Sequence, residues 1–311
     1  MLDNDIMAIA KHHLLEVKDL PLPEGLVLDA RWQNHKDNVR RALDDFQTCL
    51  ETIQKGNGSP FNHRANFDPG LIERKVKALQ EEFPDFDFLA SGYEDHADAV
   101  ESSVGDWQGR RVSNILFWHL YPILACRKYL CERPGRILEI GGGCGDQARL
   151  WKLSVPEIQW VDVDLPESLF FAEVFLRRNF PGAAFTYITA ERQLFDGPEP
   201  YTMADFVFCP VQLAKTAKVC HYDIAINQGS MQEMPCDTVA WWLRFLESAD
   251  VDSFYSLNYH VTPLKPPANW ELIRRVEDPL VITMDSGVNL EQAWRIKRGV
   301  AIPETGPVIH A

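Results

Sequence analysis

The chain has 311 residues, of which 45 are acidic and 31 basic, which gives a formal net charge of −14 at pH 7. Such an acidic surface repels phosphate backbones and anionic lipids, so we expect no nucleic-acid and no membrane partner. The seven cysteines are an odd number without a CxxC pair, which indicates reduced thiols rather than a disulfide framework. The N-terminus lacks a basic and apolar leader, so a cytoplasmic location is expected, and homo-oligomer formation is left open.

The first 130 residues show helical periodicity and few strand signals. Apolar residues spaced by about 3.6 predict a helix within Asp29–Ile53. The Asp-Pro pair at the start of Asp68–Phe83 predicts a helix with an N-cap and a proline in its first turn. A further helix is predicted over Asp106–Cys131. We therefore divide the chain into a helical N-terminal region, residues 1–130, and a core, residues 131–311.

Strands and helices alternate from Arg136 onward, as in a doubly wound, Rossmann-like α/β sheet. The predicted parallel strands are Arg136–Ile140, Ile158–Asp164, Ala184–Ile188, Asp223–Asn227 and Ser253–Tyr259. The short apolar run Phe206–Cys209 is interpreted as an extra strand or an edge segment.

A glycine-dense turn follows the first predicted strand, in the segment RILEIGGGCGDQARL between Arg136 and Leu150. Glycines let the backbone lie against a ligand because no Cβ is in the way. The second predicted strand ends in Asp164, where a carboxylate could bind the two hydroxyls of a ribose. This half of a nucleotide-binding fold predicts a ligand site at the carboxyl ends of the strands.

The spacing of the glycines bears on which ligand is bound. A dinucleotide fingerprint that starts at Gly143 needs the allowed alanine variant at Ala148. An acid two residues before a G-x-G-x-G turn fits at every position, with Glu139 as the acid and Gly141 as the first glycine. That pattern is typical of class I S-adenosylmethionine (SAM) methyltransferases. Dinucleotide binding, and a turn that serves packing alone, remain alternatives.

Three segments together resemble a bacterial family of sugar O-methyltransferases. They are EIGGGCGDQARL with WVDVDLPESL in Glu139–Leu169, DIAINQGSMQEM in Asp223–Met234, and SLNYH in Ser256–His260. The similarity extends over roughly residues 100–265, about half of the chain. It implies SAM as methyl donor and a small-molecule hydroxyl, on a sugar or a sugar-containing metabolite, as acceptor. It also implies that Trp270–Val276 and Gln292–Lys297 pair antiparallel at the sheet edge.

The resemblance and the strand ends together predict the residues that contact the cofactor. They are Glu139, Gly141, Gly142, Gly143, Gly145, Asp164, Leu165, Asn227 and Gln228. Cys144 departs from the family, which often has an aromatic residue there. A natural-product hydroxyl or amine as acceptor, or a SAM-fold subunit without activity, are the alternatives.

A sugar hydroxyl is a very weak acid, so its methylation benefits from a general base. Glu233 and His260 follow the fourth and fifth strands and are the predicted catalytic residues. At His260 the family more often has an acid, so the sequence leaves the choice between the two open. The predicted substrate-binding residues are Asn258, Arg111 and His119. No metal is predicted, because the acids and histidine near the fourth strand show no diagnostic spacing.

Overall fold

The computed structural model describes residues 3–28, 43, 67–96, 103–189, 203–259, 264–279 and 289–297. The helix predicted within Asp29–Ile53 lies outside the described residues, apart from Leu43, and so does His260. No helix in the described ranges is long and apolar enough to cross a membrane.

Helices and one β-hairpin form the described chain before the main sheet. They are α1 (Asp3–Val17), α2 (Pro69–Glu82), α3 (Phe88–Ser91), β1 (Val104–Trp107), β2 (Arg110–Ser113) and α4 (Asn114–Tyr129). The start of α2 is confirmed, since the Asp68 carboxylate accepts hydrogen bonds from the backbone N–H groups of Gly70 (2.9 Å) and Leu71 (3.2 Å).

The helix predicted from Asp106 is wrong in its first eight or so residues, which form the hairpin β1–β2 instead. Gln108 and Gly109 have φ values of 53° and 79°, and two successive positive φ values make the tight turn that right-handed strand twist favours. The helix begins only at Asn114, after Ser113 as its N-cap.

Strands and helices alternate in the rest of the described chain. They are β3 (Arg136–Ile140), α5 (Asp146–Ser154), β4 (Gln159–Asp164), α6 (Pro166–Asn179), β5 (Phe185–Tyr187), β6 (Phe206–Pro210), β7 (His221–Gln228), α7 (Cys236–Ser248), β8 (Asp250–Tyr259), β9 (Trp270–Glu277) and β10 (Asn289–Ile296). Short 3₁₀ helices cover Val211–Val219 and Met231–Glu233.

The main sheet has the order β5-β6-β4-β3-β7-β8-β10-β9. Its first six strands are parallel, whereas β10 is antiparallel to both β8 and β9. The predicted α/β doubly wound fold and the antiparallel pair at the edge are therefore confirmed. After β3 the chain forms β4, β5 and β6 on one side of β3, and it then crosses to form β7 on the other side of β3. The carboxyl ends of β3, β4 and β7 consequently meet where the strand order reverses, the usual ligand position in such sheets.

The position of β6 corrects the predicted strand assignment. The sequence placed Ala184–Ile188 as the third strand and allowed Phe206–Cys209 an edge position. In the structure β6 pairs directly with β4, and β5 lies outside it at the edge. Every residue of β6 is buried, whereas β5 is partly exposed, so the more apolar strand occupies the interior position.

Apolar layers cover both faces of the sheet, because successive side chains of a strand point to opposite faces. Ile137 packs with the helices α1, α2, α4, α5 and α6 on one face. Leu138 and Ile140 pack with α7 and the 3₁₀ helix Val211–Val219 on the other. Glu139 lies between Leu138 and Ile140 and thus faces the same layer as Ile137.

Candidate functional site

The glycine turn after β3 forms the floor of the candidate site. Gly141 has a φ of 76°, and its backbone N–H donates to the carbonyl oxygen of Val163 at 2.9 Å. A Cβ on Gly142 would lie 2.5 Å from Glu139 Oε2 and 2.6 Å from Asp162 Oδ1. A side chain at position 142 would therefore require the carboxyl groups of Glu139 and Asp162 to move.

Three carboxyl groups surround the turn. Glu139 is the register partner of Asp162, and Asp164 is two residues further along the same face of β4. The backbone N–H of Gly142 donates to Asp162 Oδ1 (3.2 Å), and that of Gly143 donates to Asp164 Oδ2 (2.9 Å). All three side chains are less than a tenth exposed. The alternation of side chains along two neighbouring strands thus concentrates negative charge at the glycine turn.

Burial is the main cause that raises the pKa of each of these three carboxyl groups. It raises the pKa of Glu139 to about 8 and that of Asp164 to about 6, and it raises the pKa of Asp162 well above its ordinary value. Repulsion between the neighbouring carboxylates adds to the effect of burial on Glu139 and Asp162. Asp162 Oδ2 is a buried oxygen without a hydrogen-bond partner in the described structure. A bound cation or a hydrogen-bond donor of a ligand would give this oxygen atom a partner.

We expect the free energy of unfolding to fall as the pH rises from about 5 to about 8. The folded-state pKa values of Glu139 and Asp164 lie above their unfolded values, so the folded protein binds these protons more tightly. That advantage is lost progressively as the pH rises through the folded pKa values. Urea unfolding at several pH values measures this free energy. Asp162→Asn should make it depend less on pH, because the variant removes one of the three interacting carboxyl groups.

The exposed carboxylate of Asp237, in the first turn of α7, provides a matched control for this measurement. Asp237→Asn should leave the pH dependence of the unfolding free energy unchanged. A wild-type free energy of unfolding that stays constant between pH 5 and pH 8 would show that the buried carboxyl groups do not titrate in this window.

Amide side chains fix the segment after β7 against the end of β3. Asn227 Nδ2 donates to the carbonyl oxygen of Ile140 (2.8 Å) and to Ser230 Oγ (2.5 Å), and its Oδ1 accepts from Asn258 Nδ2 (3.0 Å) and Met231 N (3.3 Å). The side chain of Asn227 is therefore fully used within the protein. A ligand contact at this position would fall to the main chain.

Three other predicted site residues lie in different parts of the fold. Glu233 is half-buried in the short 3₁₀ helix after β7, where its backbone N–H donates to Ser230 O at 3.0 Å. Leu165 follows β4 and donates its N–H to Asp164 Oδ1 at 2.6 Å. Arg111 lies in the hairpin strand β2, and its carbonyl oxygen accepts from Asp95 N at 2.9 Å. Their predicted contacts with ligands stay predictions.

Asp95 is a site-proximal residue that sequence reasoning missed. Burial raises its pKa to about 7; nearby Asp146 raises it further, and Arg149 and Arg111 oppose the rise. Asp146 opens α5 directly after the glycine turn, so Asp95 connects the hairpin with the site. No local motif marks Asp95, because it is brought there by a loop.

His119 and Gln228 were predicted for different roles and are brought together by the structure. His119 Nδ1 lies 3.2 Å from Gln228 Oε1. Gln147, which sequence reasoning missed, joins them from the first turn of α5. The one sequence signal for Gln147 is its place immediately after the glycine turn, where helix residues commonly face a ligand.

A group of one histidine and two aspartates lies at the amino ends of β7 and β8. Donor atoms of His221, Asp223 and Asp252 are all within 4.8 Å of one another. His221 opens β7 and pairs with Asp250, the first residue of β8. The group is therefore at the amino ends of the strands, away from the glycine turn.

No protein-family model and no curated protein matches the chain. Solved structures that it resembles include a TehB-like SAM-dependent methyltransferase from Corynebacterium glutamicum, with 14% identity over 58% of this chain and 88% of that chain, and a TM-score of 0.38. Magnesium protoporphyrin IX methyltransferase (ChlM) from Synechocystis PCC 6803 with bound SAH has 11% identity over 62% and 90%, and a TM-score of 0.39. An rRNA methylase from Escherichia coli has 13% identity over 95% and 100%, and a TM-score of 0.39.

Likenesses at these identities and TM-scores do not identify an activity, a cofactor or a substrate for this chain. The sugar O-methyltransferase resemblance stays a prediction, because no family model matches. The predicted absence of a nucleic-acid partner also stays a prediction, and one of the similar structures is by name an rRNA methylase.

Proposed function

We propose that this chain is a SAM-dependent O-methyltransferase whose acceptor is a hydroxyl of a small molecule, a sugar or a sugar-containing metabolite. The observation that carries the proposal is the set of three buried carboxyl groups around the glycine turn. Glu139, Asp162 and Asp164 converge on the glycine turn, where the positive φ values of Gly141, Gly143 and Gly145 disfavour residues with a Cβ. The strand order puts this turn where open α/β sheets bind ligands.

The charge of the turn distinguishes SAM from a dinucleotide. A pyrophosphate carries negative charge, so it would be repelled by Asp164 and would oppose the ionisation of Glu139 and Asp162. SAM carries an ammonium group and a sulfonium, so Asp164 attracts it and its positive charge favours the ionised form of Glu139. Asp162 Oδ2 is buried without a partner in the described part of the chain and can accept a hydrogen bond from such a ligand. The residues present therefore fit SAM better than NAD.

The roles of the site residues follow from their positions. Asp164, at the end of β4, would accept hydrogen bonds from the ribose hydroxyls, beside Leu165. Glu139 and the turn of Gly141–Gly145 would hold the methionine part. Bound SAM supplies a methyl group on a good leaving group, so the chain's own tasks are to align the acceptor, exclude water and accept a proton. Glu233 and His260 are the sequence-based candidates for that proton.

We assign the acceptor side of the site to the residues that precede β3. The hairpin and α4 bring Arg111 and His119 toward α5, and Asn258 comes from β8. Arg111 would suit a phosphate-bearing acceptor such as a nucleotide-linked sugar. The net charge of −14 favours a small acceptor over a nucleic acid.

Titration calorimetry with SAM, S-adenosylhomocysteine and NADH tests the proposal. We expect SAM and S-adenosylhomocysteine to bind with micromolar dissociation constants, about −8 kcal/mol, and NADH to give no heat. The raised pKa of Glu139 implies that a cationic ligand expels a proton at pH 7. The binding heat should therefore depend on the ionisation enthalpy of the buffer. Tight NADH binding without SAM binding would overturn the proposal.

Mass spectrometry with SAM and a panel of nucleotide-sugars then addresses the acceptor. A product heavier by one CH₂ unit identifies a methylated hydroxyl or amine. SAM binding without a product from sugars, but with one from another class of hydroxyl or amine, would reject the sugar assignment alone.

A further inference from the structure

Pro122 interrupts the backbone hydrogen bonding of α4 in the helical turn that contains His119. A helical residue normally donates its N–H to the carbonyl four residues earlier, but proline has no N–H. The carbonyl oxygen of Trp118 therefore lacks its helical donor. Gln228, the last residue of β7, replaces it, since Gln228 Nε2 donates to Trp118 O at 2.7 Å. A strand of the central sheet is thus bound directly to the helix backbone.

This bond orients the amide of Gln228. With Nε2 turned to Trp118, its Oε1 faces His119 Nδ1 at 3.2 Å. Gln147 completes the arrangement: its amide nitrogen lies 3.2 Å from His119 Nδ1, 3.1 Å from His119 O and 3.0 Å from Gln228 Oε1, while its oxygen accepts from Trp151 Nε1 (3.2 Å). Because Gln228 Oε1 can only accept, its 3.2 Å contact with His119 Nδ1 requires a proton on Nδ1, and the two hydrogens of the Gln147 amide then go to the two oxygen atoms.

The network assigns the proton on the imidazole of His119. Gln228 Oε1 has two lone pairs, of which Gln147 takes one and His119 Nδ1–H takes the other. A neutral imidazole with its proton on Nδ1 has a lone pair on Nε2. The two amides thus hold the ring with a basic nitrogen directed away from them.

The surroundings of His119 keep it neutral. Burial lowers the pKa of His119, and this effect outweighs the opposing effects of the Asp146 charge and of the hydrogen bonds with Gln228 and Gln147. Asp146 and Gln147 are the first residues of α5, directly after the glycine turn. His119 therefore stands beside the turn to which the proposed function assigns the methionine part of SAM.

We propose that His119 is the general base of this enzyme, with Gln228, Gln147 and Pro122 as positioning residues. The inference rests on the proposed function. The acceptor oxygen forms a bond to the methyl carbon, the carbon–sulfur bond breaks with its electron pair going to sulfur, and the hydroxyl proton goes to His119 Nε2. The imidazolium then releases this proton to solvent, which restores the starting state.

The first test reads the tautomer directly and needs no substrate. Long-range ¹H–¹⁵N spectra of protein labelled in its histidine rings report which nitrogen carries the proton, and His119→Gln identifies the signal. We expect a neutral ring with the proton on Nδ1 at pH 7, and protonation only at a pH lower than that at which an ordinary histidine is protonated. A proton on Nε2, or an imidazolium at pH 7, would overturn the proposal.

The positioning residues are tested by the same spectra. Pro122→Ala restores an N–H that competes for the Trp118 carbonyl, so Gln228 should lose its orientation and the ring should become a mixture of tautomers. Gln228→Glu places a carboxylate against Nδ1–H and should raise the pKa of His119. An unchanged tautomer and an unchanged pKa in both variants would remove Gln228 and Pro122 from the proposal.

The second test measures turnover with the acceptor that gives a product in the nucleotide-sugar panel. His119→Gln should lower kcat by about 10²–10⁴-fold while calorimetry shows unchanged SAM binding. Gln228→Glu should move the acidic limb of the pH profile to higher pH. His12→Gln, on the exposed face of α1, is the matched control with unchanged kcat.

Different outcomes test the role of His119 as general base and the proposed methyltransferase function separately. Near-wild-type kcat in His119→Gln, together with a large loss in Glu233→Gln or His260→Asn, would overturn the role of His119 and leave the methyltransferase standing. A wild-type protein that binds no SAM would overturn the proposed function, and with it the role of His119 as base.

Discussion

Arg274→Met is expected to lower the free energy of unfolding by about 3–5 kcal/mol at pH 7. Arg274 Nε donates to Glu291 Oε2 at 2.9 Å, and the Glu291 side chain is fully buried. Tyr121 Oη donates to the same oxygen at 2.9 Å. Removing the arginine leaves a buried carboxylate without its counter-charge. Urea unfolding measures the loss.

The pH dependence of that loss identifies its cause. Burial raises the pKa of Glu291, so without Arg274 the carboxyl group is more readily neutral in acid. The difference between wild type and variant should therefore shrink as the pH falls. Arg275 lies in the same strand, exposed and paired with Glu277 at 2.7 Å, and Arg275→Met should cost about 0–1 kcal/mol. Equal losses from the two variants would contradict the buried-pair explanation.

Asp164→Asn is expected to weaken SAM binding by about 1.5–3 kcal/mol, roughly 10- to 150-fold. The charged carboxylate would accept hydrogen bonds from the ribose hydroxyls, and an amide keeps one acceptor oxygen and loses the charge. Asparagine is preferred to alanine because it keeps an acceptor oxygen for one of the two N–H groups, of Gly143 and Leu165, that donate to Asp164. Calorimetry measures the change in affinity.

A thermal melt of the same variant separates binding from folding. Asp164→Asn should melt somewhat below the wild-type temperature without ligand, because one of the two N–H groups loses its acceptor, and SAM should stabilise it less. Asp237→Asn, an exposed carboxylate in α7, should bind SAM like the wild type. A dissociation constant unchanged by Asp164→Asn, with a large fall in melting temperature, would mean that Asp164 only stabilises the turn.

The sequence predicted those parts of the fold in which local chemistry and global position agree. The strands β3 and β4 and the helix α2 were placed within a few residues, because apolar runs and an Asp-Pro cap are local signals. The place of β6 was not predicted, since its pairing with β4 depends on competition with the distant strand β5. The hairpin β1–β2 was read as helix because both of its strands are short.

The candidate site divides in the same way. Glu139 and Asp164 lie at the carboxyl ends of apolar strands, beside a recognisable glycine turn, so their proximity could be predicted. Asp162 is not among the predicted site residues, and its shared burial with Glu139 depends on strand register. The link from Gln228 to His119 was beyond sequence reasoning, because it depends on a carbonyl left open by a proline two turns into a helix.

Anchoring Gln228 to a backbone atom has a consequence for how this chain can vary during evolution. The anchor is the carbonyl of residue 118, which every amino acid has, so the tryptophan there is free of selection for this bond. Selection on the network falls instead on the proline that opens the carbonyl and on the side chains at 119, 147 and 228. The side chain of Trp118 packs against the apolar core, so substitutions at position 118 are limited by packing and not by the bond to Gln228.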